Sequence, residues 1–256
     1  METDKHGNVP TTRHFGRVLP VTALGVALIA TISLAAAGLG TRLDLWHFRT
    51  GFAILKYSAY GGLLAAALAL TAAIVAFRGK YLPGFVLSLV ALALGITVVA
   101  LPLSWQSTAR KLPRIHDITT DIVNPPRFVA ILPLRAKASN PAEYSGPEIA
   151  AKQREAYPDV KTVVLGVASD QAFALALDAA RRMGWRIVAA LPAEGRIEAT
   201  DTTFWFGFTD DIVVRITPAG DRSLVDVRSV SRVGVSDVGT NARRIRSFLK
   251  KLEGSG

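Results

Sequence analysis

The chain has 256 residues, half of them hydrophobic, with a mean hydropathy of +0.32 and a formal net charge of +10. This composition points to a membrane protein with a soluble part, and the absence of cysteine excludes disulfides, thiolate nucleophiles, iron–sulfur clusters and cysteine zinc sites. The basic excess is spread evenly: residues 1–104 hold 8 Lys/Arg against 3 Asp/Glu and residues 105–256 hold 22 against 17, with no aromatic-and-basic stripe, so no nucleic acid is expected as a partner.

Residues 1–17 read as a cytoplasmic tail, and three uncharged apolar runs follow at 18–40, 57–77 and 82–103. A spanning helix needs roughly 20 apolar residues, and none of the runs has a polar face that would mark it as a core helix. The second and third are separated only by "RGKY" (78–81), which predicts a tight helical hairpin. Tyr57, Tyr81 and Trp105 stand at run ends, where amphipathic aromatics favour the membrane interface. The "LAAAG" of residues 34–38 resembles a signal-peptide cleavage site, but the run is long and two more spans follow, which favours an uncleaved anchor. No ionisable side chain lies inside a run, so the spans read as an anchor and not as a transport path. Small residues four apart (Ala23 and Ala27, Gly61 and Ala65) would let helices pack closely.

Basic residues are balanced across the two sides of such an anchor. The short acid-free turn at Arg78 and Lys80 favours the cytoplasmic side, which sets the C-terminal domain outside it. The expected location is therefore the inner (plasma) membrane, multi-pass, with a periplasmic C-terminal domain and the lipid bilayer as partner.

Residues 105–252 read as one soluble α+β domain, followed by a flexible tail at 253–256. "RFVAIL" (127–132) and "KTVVL" (161–165) are predicted strands, and 137–158, with three prolines, a long loop. Residues 169–184 predict a helix capped by Ser169 or Asp170 and stopped by Gly184, with Phe173, Ala176, Leu177, Ala180 and Met183 on its apolar face. "WRIVAAL", "RIEATDTT", "DIVVRIT" and "LVDVRSVSRV" predict four consecutive strands, and 238–252 a final helix. Short turns between sequential strands make antiparallel hairpins. The expected fold is an antiparallel sheet with two helices packed on one face, a layout like that of helix-grip domains.

Several segments, "IHDITTDIVNPPRF", "YSGPEIAAKQREAYPDV", "MGWRIV", "GRIEATDTTFWFGFTDDIVVRI" and "VDVRSVSRVGVSDVGTNARRIRSFL", resemble in that order the domain-of-unknown-function 1499 family over residues 113–252. The resemblance implies a domain with no assigned reaction. It leaves the three apolar runs uninformed, and exported relatives of the family support an outward-facing domain.

Side chains alternate across a strand, so Asp226, Arg228, Val230 and Arg232 share one face and Val225, Val227, Ser229 and Ser231 the other. If Ile216 faces Val225, Arg215 falls opposite Asp226 and Asp211 diagonal to Arg228, which predicts an ion-paired outer face. Ser236 or Asp237 would cap the last helix; an anion site there, with Arg232 and Arg244 assisting, is the alternative, and Asn241 is a further candidate ligand-binding residue. A serine hydrolase would need a base, and His116 is the one histidine in the domain. An all-oxygen ion site would draw on Asp117, Asp121, Asp210 and Asp211, but neighbours in a strand point to opposite faces. Phe204, Trp205, Phe206 and Phe208 form either core aromatics at a strand bend or an apolar surface. No catalytic residue, metal or cofactor is assigned. The expected function is a non-enzymatic binding or structural module of a bacterial cell envelope contacting a protein or lipid; the alternative is a hydrolase or transferase using Asp117, Asp210 and Asp211 with Arg228 or Arg232 on an acidic envelope substrate.

Overall fold

The computed structural model describes the backbone of residues 11–254 and, apart from residues 11–16 and 253, their side chains. The first ten residues of the expected N-terminal tail and residues 255–256 of the expected C-terminal tail lie outside the described part. The chain divides into two compact units, Met1–Ser107 with Trp205–Gly207, and Thr108–Phe204 with Phe208–Gly256.

The first unit is built from three helices, α1 (Thr11–Arg42), α2 (Phe48–Arg78) and α3 (Leu82–Lys111). All three are long and apolar enough to cross a membrane. The helices run past the apolar stretches into charged flanks at Arg42, Arg49, Lys56 and Arg110. Their packing follows from small residues: Ala23, Ala27, Ala65, Ala69 and Ala91 form a buried seam, and a Cβ at Gly95 would meet the Gly62 carbonyl at 2.8 Å.

The second unit carries a six-stranded antiparallel sheet. Its strands are β1 (Asp117–Thr119), β2 (Val163–Leu165), β3 (Arg186–Leu191), β4 (Arg196–Thr202), β5 (Thr209–Ala219) and β6 (Arg222–Ser231). The order is β1-β6-β5-β4-β3, with β2 lying beyond β1 along the same edge of β6. Helices α5 (Ser169–Arg182) and α6 (Thr240–Glu253) bury Phe173, Ala176, Ala180, Ile245, Phe248 and Leu252 against Ile197, Ile212, Val214, Val225 and Val227 on one sheet face. These strand residues sit two apart along β5 and β6, as one face of a strand requires, so the helices take one apolar row from each.

The β5–β6 register is the one the hydrophobic pattern predicts, Ile216 opposite Val225 and Arg215 opposite Asp226, with Asp211 diagonal to Arg228 across Val213. The turn is Gly220 and Asp221, with Gly220 at φ 68°. The helix from 169 ends before Gly184 at φ 76°, as expected, but its N-cap is Ala168 and makes no side-chain cap bond.

Three local expectations fail for physical reasons. Residues 127–132 are not a strand: the chain curls there into a 3₁₀ turn at Leu132–Arg135, because the amides of Val129, Ala130 and Ile131 are all captured by the Glu198 carboxylate. The expected loop at 137–158 contains helix α4 (Pro147–Ala156), started by Pro147 and supported by a Glu148–Lys152 pair. The short strand β1 was not expected. Its residue Thr119 is paired by the Gln153 side chain of α4, which accepts from the Thr119 amide at 3.0 Å and donates to its carbonyl at 2.6 Å. A side-chain amide thereby takes the place of a neighbouring strand and closes the sheet edge.

The turn between β3 and β4 depends on Gly195, at φ 58°, where a Cβ would lie 2.2 Å from the Ile216 carbonyl oxygen. Gly195→Ala is expected to destabilise the chain by roughly 2 kcal/mol, whereas Gly220→Ala, also at positive φ but in open space, costs less. Thermal unfolding of both variants in detergent checks this; equal melting temperatures would contradict it.

Candidate functional site

The second sheet face is covered by residues 120–142, here called the strap. Phe128 and Ile131 of the strap pack on Val213 and Val230 of the sheet. Around this small apolar patch lies a set of buried charges. Arg228, 2% exposed, grips Asp117 with two bonds, Nε to Oδ1 at 2.9 Å and Nη2 to Oδ2 at 2.7 Å. It also donates to the strap carbonyls of Pro126 and Ala142 and lies over the rings of Phe128 and Tyr144. Asp211 accepts from Arg135 of the strap at 2.5 Å and from Arg232 at 2.8 and 2.9 Å. Arg135 goes on to the carbonyls of Asn140 and Pro141. Arg215 bridges Asp226 at 2.7 Å and Asp121 at 2.9 Å and donates to the Asn124 carbonyl. Glu198 holds the three strap amides and the Arg196 guanidinium.

The ion pairs of this face were expected, but on an outer surface. They are buried instead: Asp117, Glu198, Asp211, Asp226 and Arg228 are all nearly inaccessible. The alternating charges of β6 look solvent-facing in sequence, yet the strap supplies the cover. Glu198, Arg135 and Arg196 were missed. Their signal is a glutamate in the middle of a strand together with a stretch, 122–142, that contains no acid of its own.

On the helix face a second polar cluster sits between sheet and α6. Arg244 donates to Asp201 at 2.9 Å, Asp210 at 2.6 Å, Ser229 at 3.1 Å and Asn241 at 2.5 Å. Asn241 also binds the Ser229 and Ser231 hydroxyls and the His116 carbonyl. Asp237 accepts from the amides of Gly239 at 2.8 Å and Asn241 at 2.7 Å, and so holds the start of α6. The helix begins at Thr240, two residues later than expected, after Val238 and Gly239 at positive φ.

The candidate residues are thus divided by the sheet. Asp117, Asp211, Arg228 and Arg232 lie on the strap face; Asp210, Asp237, Asn241 and Arg244 lie on the helix face. Asp210 and Asp211 diverge, and Arg232 and Arg244 do not meet. Among the described residues no group of three or more His, Asp or Glu side chains is placed to hold a metal ion. Of the aromatics, Phe204 is 83% exposed and Phe208 half-buried. Trp205 and Phe206 belong to the helical unit. There the Trp205 indole donates to the Ala35 carbonyl at 3.1 Å and its ring lies 4.9 Å from that of Trp105, while buried Phe206 lies 5.2 Å from the Phe52 ring.

The strap is indented by a cleft of about 470 Å³ between Val123, Pro125, Arg127, Phe128, Leu132, Ala142, Glu143 and Tyr144, with Arg228 at its base. Burial, with the negative charge of Asp117, pushes the Tyr144 phenol up to about 12, so its hydroxyl stays protonated.

The carboxylates respond oppositely to their surroundings. Burial pushes Asp121 up, but the amides of Asn124 and Val123 and the Arg215 guanidinium outweigh it and hold the group below the ordinary 3.8. Burial pushes Asp237 above 3.8, with Asp210 in the same sense, against its two amide bonds. The stabilisation from Asp121 is therefore present above pH 3.8 and lost as pH falls through its folded value. That from Asp237 is complete below pH 3.8 and declines as pH rises through its folded value. Carbon-13 carboxyl titration of the full chain should find the midpoint of Asp121 below 3.8 and that of Asp237 above it; the reverse order would contradict the geometry.

No curated protein matches this chain. Among solved structures, the crystal structure of TTHA0849 from Thermus thermophilus is similar at 12% identity and a TM-score of 0.24, over 36% of this chain and 92% of that one. The model of the family described as "Protein of unknown function (DUF1499)" matches residues 117–252, from the first residue of β1 to the last turn of α6 and more than half of the chain. The chain is a member of the DUF1499 family, carrying three helices long and apolar enough to span a membrane ahead of the family domain.

Proposed function

We propose that this is a multi-pass protein of the bacterial inner membrane whose three apolar helices anchor the family domain on the periplasmic side, and that the domain is a binding or structural module of the cell envelope. The observation that carries the reading is the state of the buried carboxylates. Asp117, Asp211, Asp226 and Glu198 are each engaged by arginine, by hydroxyls or by backbone amides. A general acid or base needs a proton to exchange with a substrate within hydrogen-bond reach, and these groups spend their acceptor capacity on holding the strap. A hydrolase or transferase would also need its acid and its base on one side of the sheet, whereas Asp210 faces α6 and Asp117 and Asp211 face the strap. The uncharged interiors of the apolar runs support an anchor, since transport paths place ionisable groups at depth.

Two measurements test this. A phosphatase reporter fused after Gly256 should be active, as expected of an exported terminus; activity only in a cytoplasmic reporter would overturn the orientation. The purified full chain, screened with phosphoesters, carboxyl esters and glycosides with and without divalent metals, should give no turnover above a protein-free blank. Turnover abolished by Asp117→Asn in a variant that keeps its circular dichroism would overturn the module reading.

A further inference from the structure

The connection between β4 and β5 is aromatic and uncharged: Phe204, Trp205, Phe206, Gly207 and Phe208 follow one another. It closes as a turn, with the Thr203 amide donating to the Phe208 carbonyl at 2.8 Å and the Phe208 amide to the Thr203 hydroxyl at 2.9 Å. Its residues Trp205–Gly207 belong to the helical unit. Gly207, at φ 69°, lies where a Cβ would come within 3.0 Å of the Arg42 Cα at the end of α1. From that level the turn descends along α1 into its apolar run. The Trp205 indole donates to the Ala35 carbonyl and fills the notch left by Gly38, where a Cβ would lie 2.4 Å from the ring. Ala35 stands seven residues before Arg42, about 10 Å along the helix axis.

Trp205 and Phe206 also complete a series of neighbouring rings. Phe48 and Phe52 of α2 lie 5.9 Å apart, Phe52 and Phe206 5.2 Å, Phe206 and Trp205 5.1 Å, and Trp205 and Trp105 of α3 4.9 Å. Aromatic rings collected at one end of apolar helices of spanning length are the pattern of a membrane–water interface. Leu43 and Leu45, between α1 and α2 at the same end, are exposed as well. Packing within the helical unit accounts for Phe206, which is buried, but not for Phe204, which is 83% exposed and next to Trp205 in the chain.

We infer that the β4–β5 turn is a membrane-insertion site: Phe204 and Trp205 enter the boundary between lipid headgroups and acyl chains beside α1. The inference rests on the anchor reading of the three helices. Position selects lipid as the partner. The Trp205 seat lies on a stretch of α1 that faces hydrocarbon when the helix spans, so the medium around an exposed ring there is the bilayer. The turn brings no charge that would need water, and its indole N–H is already satisfied by Ala35. Insertion therefore buries apolar surface without stranding a polar side chain.

The chain has no cysteine, so a single introduced one can be labelled cleanly. Phe204→Cys, Asp221→Cys and Leu64→Cys, each carrying the same fluorophore on the full chain in nanodiscs, are read against lipids spin-labelled either near the headgroup or near the chain end. Asp221, 92% exposed in the β5–β6 turn, reports water, and Leu64, exposed near the middle of α2, reports the bilayer interior. The Phe204 label should lose most of its emission to headgroup-level spin labels and less to those at the chain end. The Leu64 label should show the opposite order, and the Asp221 label should be quenched by neither. A Phe204 label that behaves like the one at Asp221, while Leu64 is quenched, would overturn the insertion and leave the anchor standing. A Leu64 label untouched by chain-end spin labels would sink the anchor reading, and the insertion with it. Loss of Phe204 emission that follows protein concentration and not lipid would identify a second copy as the occupant and overturn the inference as well.

Discussion

The domain depends on carboxylates and guanidiniums buried between a sheet and a strap whose one acid is Asp121. Charges removed from water cost several kcal/mol each unless every lone pair and proton finds a partner. Here most of that cost is offset by pairing, although the Nε atoms of Arg135 and Arg215 are buried without a partner. Arg228 meets Asp117 edge to edge and spends its remaining donors on strap carbonyls. Asp211 is clasped from the sheet by Arg232 and from the strap by Arg135. Glu198 binds consecutive strap amides that have no strand to pair with. The apolar contact on this face, Phe128 and Ile131 on Val213 and Val230, is small beside the core under α5 and α6. Polar bonds therefore fix where the strap lies, and hydrophobic burial under the helices fixes the sheet.

This division explains which features could be read from the residues and which could not. The three apolar helices and the two amphipathic ones announce themselves by period and length. The β5–β6 register follows from alternation and a tight turn, so the facing of Arg215 and Asp226 was legible. The strap was not, because its shape comes from a carboxylate some 70 positions away in sequence, and its Phe-Val-Ala-Ile-Leu run reads as a strand until Glu198 takes its amides. Helix α4 was hidden by weak amphipathicity and flanking prolines; its place is set by Gln153 acting as a substitute strand for Thr119. Burial of the charged rows on β5 and β6 was equally invisible, since alternating polar residues look alike whether water or a strap covers them.

The same chemistry shapes the functional reading. The carboxylates that first suggest catalysis are divided by the sheet and engaged in holding chain segments to it. What the strap leaves outward is a set of aliphatics, the Arg127 side chain and a cleft. The proposed module reading rests on that arrangement, and family membership assigns the domain no reaction.

The central claim is that the charges buried under the strap are tolerated only as pairs, and a double-mutant cycle on Asp117 of β1 and Arg228 of β6 tests it most directly. Asp117→Leu and Arg228→Met should each cost about 3–5 kcal/mol by leaving a charge buried alone, and the double variant should be more stable than either single one. Costs that simply add, or single variants as stable as the parent chain, would contradict the account.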